Sequence, residues 1–158
     1  MKKRKQQSTY SMIDELMASS TEPMPLAARQ HQLTSMYLGL KGLETSPEPS
    51  KEDWRIVADA VNLFETLVNM GEVEDSSKLL ADAVKALGSA GERYFKNGKI
   101  RLDGQGISAV RAVLEDYASI IEVLSHRTMI RCHRLTERRI FEIIAGNKQQ
   151  HDVTVCAL

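Results

Sequence analysis

The chain has 158 residues, 42% hydrophobic and 27% charged, enough to bury one core without disulfides or metal. Its 21 basic and 21 acidic residues cancel, which excludes binding of polyanions by overall charge. Aromatic residues are only 5%, so the core is mainly Leu, Val, Ile, Ala and Met and suits helix-on-helix packing better than a β-sandwich.

Residues 1–20 read as a flexible basic segment led by Lys2, Lys3, Arg4 and Lys5. Met1–Gln7 has the charge of a signal-peptide start, but no apolar stretch follows, so no secretory leader is expected. Ser11 can cap a short turn over 12–18, too short to be stable alone. Residues 21–158 form the expected single helical domain.

Pro25 fits a first helical turn. Leu26, Leu33, Met36, Tyr37, Leu40 and Leu43 mark one face of a helix over 25–44. Thr45-Ser46-Pro47-Glu48-Pro49 is a loop. Ser50 followed by Asp53 is a variant capping signal, and acids in the first turn favour the helix dipole. Trp54, Val57, Val61, Phe64, Leu67 and Val68 then define a helix over 51–70, stopped by Gly71.

Asp75, Ser76 or Ser77 caps a third main helix over 76–96, with Leu80, Val84, Leu87, Ala90 and Tyr94 as its stripe and Asn97-Gly98 as its stop. Gly88 and Gly91 either weaken it or admit close approach of another helix. With Ala81, Ala83, Ala86 and Ala90 they make a small-residue face, either internal packing or a homodimer seam. Lys99–Leu102 alternates like a brief strand. The strongest stripe, Ile107, Val110, Leu114, Tyr117, Ile121 and Leu124, gives a helix over 105–125. The apolar phase slips at Ser125–Thr128, which predicts a break and a separate fifth helix over 128–145 before Gly146. The tail from His151 to Leu158 alternates and is a candidate partner for Ile100–Leu102 in a minimal two-stranded ribbon. The expected fold is thus all-α, a bundle of four to five helices with a disordered basic N-terminus.

Charge is unevenly distributed. Residues 44–75 carry nine acids against Lys51 and Arg55, a net of −7, whereas residues 126–150 carry a net of +4. Within the basic stretch Arg127, Arg131, Arg134 and Arg138 recur at i, i+4, i+7 and i+11, within an arc of roughly 60° on one helix face. Met129, Cys132, Ile140 and Ile143 point largely the other way. Guanidinium is the side chain best shaped for carboxylate or phosphate, so this row, with Lys2, Lys3, Arg4 and Lys5, is the candidate partner- or phosphate-binding site. Glu115, Asp116 and Glu122 are the acids nearest in sequence that could neutralise it.

Other chemistry finds little footing. The row lacks interleaved aromatic residues except Phe141, so a base-stacking platform is unsupported. A helix-turn-helix needs a short first helix, and 105–125 is too long. Cys132, His133, His126, His151 and Cys156 lack paired zinc-ligand spacing, and no metal or cofactor is expected. Two cysteines far apart suggest reduced thiols in the cytoplasm. Asp103-Gly104-Gln105-Gly106 lacks the strand context and the lysine of a phosphate-binding loop. Ser50, Ser125 and Cys132 have no evident base partner. No apolar run approaches the roughly 18 residues of a membrane span. The expectation is a non-enzymatic interaction or regulatory protein that self-associates through charged patches. The alternative is a nucleic-acid-binding protein that uses the arginine face and the basic N-terminal arm.

Overall fold

The computed structural model describes residues 8–146. Six helices follow in order: α1 (Met12–Met17), α2 (Leu26–Thr45), α3 (Lys51–Asn69), α4 (Leu80–Asn97), α5 (Gly104–Ile121) and α6 (His126–Ile144). They pack as an all-α bundle. Among the described residues there is no strand, and no helix is long and apolar enough to cross a membrane.

α3 is the central element and packs against α2, α4, α5 and α6. Almost every residue from Val57 to Leu67 is buried, which is what a helix surrounded by other helices requires. Trp54, Phe64, Leu67, Leu87, Leu114 and Tyr117 form the middle of the core. Each large apolar side chain buried there contributes about 1.5–3 kcal/mol relative to exposure. The indole of Trp54 donates its N–H to the Leu87 carbonyl at 3.0 Å, so the one polar atom of the buried ring is satisfied.

Local signals explain most of the boundaries. Ser50 and Asp53 form a reciprocal capping box at the start of α3. Gly71 and Gly98 adopt left-handed φ of 73° and 71° just beyond α3 and α4, where a side chain would be strained. α5 and α6 are separate helices. Ser125 is extended at ψ 149°, and its hydroxyl accepts the Thr128 N–H.

Two expectations are corrected. α4 begins at Leu80, not at residue 76. Asp75 accepts the Leu80 N–H, Ser77 accepts the Leu79 N–H, and Lys78 has a φ of 57°. Side chains that bond nearby backbone in this way favour a turn over a helix. Lys99–Leu102 is not a strand but an irregular connection. It is fixed by burial of Ile100 and Leu102 in the core and by the Arg93 guanidinium, which donates to the Arg101 carbonyl. The tail proposed to pair with it lies outside the described residues.

The small residues of α4 do not form one face: Ala83, Ala90 and Gly91 are buried in the bundle and Ala86 meets α5 beside Gly106, whereas Ala81 is exposed and Gly88 borders open space. Of the segment expected to be flexible, the described part from Ser8 onward includes α1 and lies against α6.

Candidate functional site: the outer face of α6

α6 has two working faces. Its inner face packs on α3. Met129 and Cys132 are buried there, and the Cys132 thiol donates to the Leu63 carbonyl at 3.2 Å. The hydroxyls of Thr66 and Thr136 meet at 2.6 Å. Arg139 also turns inward, donating to the Asn62 carbonyl at 3.3 Å and lying 3.4 Å from the buried Glu65 carboxylate. The opposite face carries the arginine row.

α1 covers that row, antiparallel to α6. Its start is secured by a capping box between Ser11 and Asp14. Glu15, with a side chain only 10% exposed, accepts the Arg131 Nε at 2.9 Å with one oxygen and is held by Arg134 through the other. Arg127 donates to the carbonyls of Ala18 at 3.2 Å and Leu16 at 3.0 Å. Arg138 is exposed and forms no ion pair among the described residues. Lys2, Lys3, Arg4 and Lys5 lie outside the described residues.

The segment before α1 continues the contact. Ser8 Oγ donates to Glu137 at 2.6 Å, and the Thr9 N–H donates to the same carboxylate at 3.1 Å. The rings of Tyr10 and His133 meet edge to face, with centroids 5.4 Å apart. Beyond α1, the Ser19 and Glu22 carbonyls accept the N–H groups of Arg127 and His126 at 2.9 and 2.8 Å. Those are first-turn donors of α6 that no intrahelical carbonyl reaches.

The electrostatics follow this geometry. The hydrogen bond from Arg131, aided by Arg134, holds the Glu15 carboxyl below its usual value. Burial pushes Glu137 up, but the bonds from Ser8 and Thr9 outweigh it and leave the group below its ordinary range. Burial lowers His133, with Glu137 opposing.

The orientation of α1 is the unexpected feature. Its polar Glu15 points inward, whereas Met12, Ile13, Leu16 and Met17 are 61%, 71%, 64% and 82% exposed. Periodicity separates the acids of this turn from its apolar residues, but it cannot say which side faces the protein. The guanidiniums of α6 decide it. The neutralising acid is therefore Glu15. Among the acids nearest in sequence, Glu122 instead pairs with Arg29 at 2.6 Å.

The acidic stretch is also largely engaged. Glu44 pairs with Arg111, Glu52 with Arg55, and Glu65 with Arg139, while Asp53 and Asp75 bond backbone N–H groups.

A concavity of about 670 Å³ lies between α4 and the start of α5 and is lined in part by Lys85, Ser89, Arg93, Asp103 and Gln105. Its glycine-containing turn serves packing. A Cβ on Gly106 would lie 2.9 Å from the Ala86 Cβ, and the Gly106 N–H is already donated to Asp103 at 2.6 Å.

Compared with known proteins, the chain matches no family model, no curated protein and no solved structure, so the functional argument rests on its own geometry.

Proposed function

We propose that this chain is a non-enzymatic interaction protein of the cytoplasm that self-associates, with the outward side of α1 as its main contact. One observation carries the reading: four large apolar side chains of one short helix face solvent together while its Glu15 carboxylate is turned inward. Scattered exposed hydrophobic residues are ordinary, but a contiguous set is the mark of a protein–protein contact. Charged patches contribute at the rim, where they steer encounter more than they add affinity.

Sedimentation velocity tests this. The wild type is expected to dimerise as its concentration rises into the upper micromolar range, and the double substitution Ile13→Asp, Met17→Asp should remain monomeric. Both side chains point to solvent, so the variant keeps its fold. A wild type that stays monomeric at every concentration and salt overturns self-association.

Phosphate binding along the row is the second reading, supported by exposed Arg138 and by Arg131, whose side chain is 53% exposed. A duplex DNA titration would show affinity falling with salt at a log–log slope of about −0.9 per phosphate contact.

A further inference from the structure

We propose that the outer face of α6 is a docking surface for a short acidic helix of a protein partner, and that α1 fills it in the unbound chain as an internal stand-in. This deepens the interaction-protein reading but does not depend on self-association.

α1 shows what the surface accepts. Arg127 takes the backbone carbonyls at the C-terminal end of a helix, and Arg131 and Arg134 take a carboxylate near its middle. The ligand runs antiparallel to α6.

α1 is also a weak occupant. It has six residues, well short of the length at which a helix is stable by itself, and its large apolar side chains face away from the protein. Its hold comes from charge-assisted hydrogen bonds, backbone bonds and the Tyr10–His133 contact. A longer acidic helix can make the same bonds and gain two more contacts. Arg138 lies one turn beyond Arg134, and Phe141, 49% exposed, follows it. The chemistry favours discrete carboxylates over a continuous polyanion, because Glu137 and Glu142 interrupt the basic strip.

The test uses the full chain and a fluorescent peptide of its own residues Ser8–Ser20 as probe, read by anisotropy. Neutralising the internal competitor with Glu15→Gln, or repelling it with Glu15→Lys, should tighten peptide binding by at least about tenfold, because a masked site shows an affinity reduced by its unmasked fraction. Adding Arg131→Ala and Arg134→Ala should abolish that gain, and a peptide carrying Glu15→Gln should bind weakly. Thermal melts accompany each variant, and Glu15→Gln carries the test should Glu15→Lys not melt cooperatively. Equal affinity in wild type and Glu15→Gln overturns the inference, as does a gain confined to labelled duplex DNA. A monomeric wild type whose Glu15→Gln variant captures the peptide leaves this inference standing without self-association. A dimer that ignores the peptide removes this inference alone.

Discussion

Glu15 and Arg131, 116 residues apart in sequence, meet at 2.9 Å across the α1–α6 contact, and Arg134 takes the other carboxylate oxygen. One buried carboxylate thus joins two guanidiniums one turn apart. The row is not the bare outer face that its spacing suggests. Its middle is closed by an acid from the opposite end of the chain.

Charge reversal at this contact should release α1 and spare the bundle. In Arg131→Glu, Arg134→Glu three carboxylates would crowd together. The α1 amides should lose hydrogen-exchange protection while Trp54 fluorescence still reports a cooperative melt. The cost should be about 1 kcal/mol, the upper range for partly exposed pairs. Adding Glu15→Arg should restore protection. Global unfolding of the double variant would show the row to be scaffold.

Acid should loosen the same contact in two stages. His133 is held below its ordinary 6.5, so an undocked His133 takes up a proton first. Its contribution is full above 6.5 and declines as pH falls below that value. Glu15 and Glu137 lie below their ordinary 4.5. Their contribution is present above 4.5 and is lost as pH drops through their lowered values. Amide NMR shifts of residues 8–18 should therefore move towards random-coil values in both windows. Resonances constant down to about pH 4 would contradict this linkage.

Two glycine substitutions should have opposite signs. A Cβ on Gly88 meets nothing within 4 Å, so Gly88→Ala should stabilise by up to about 1 kcal/mol through helix propensity. Gly106→Ala gains the same propensity but drives a methyl against Ala86, so its melting temperature should fall. A rise in both would mean that α4 and α5 separate at little cost.

Arg139 should matter more to stability than any member of the row. Its guanidinium is 16% exposed and faces Glu65, at 8%. Arg139→Ala removes the cation 3.4 Å from the buried Glu65 carboxylate and the bond to the Asn62 carbonyl, and loss of a charged hydrogen-bonding group from such a site costs about 1.5–3 kcal/mol. Chemical denaturation would register that as a clear fall in midpoint, whereas Arg138→Ala should leave the midpoint unchanged.

What was legible in the sequence was periodic. The apolar stripes of α3 and α5, the capping pair Ser50 and Asp53, and the phase slip that separates α5 from α6 all report local physics, so their reading matches the structure closely. The α2 stripe holds only in part: Met36, Leu40 and Leu43 are buried, but Leu26 and Tyr37 are exposed. The start of α4 was harder, because Asp75 and Ser77 signal a turn as strongly as a cap. The site was legible only in half. The spacing of Arg127, Arg131, Arg134 and Arg138 defines one face, but nothing local specifies that Glu15 closes it. Arg139 follows Arg138 in sequence and sits on the other side of the helix. Its role in the core depends on where α3 places Glu65, a long-range fact that periodicity does not encode.

The backbone bonds of Ser19 and Glu22 to the first turn of α6 set a competitive threshold. They fix the chain just past α1, so residues 8–18, even when released, stay on a leash of at most roughly 38 Å. Their local concentration near the arginines is then on the order of millimolar. On the docking proposal above, a free acidic segment would have to overcome that standing competitor, and one that also engages Arg138 or Phe141 would hold an advantage over a chance carboxylate.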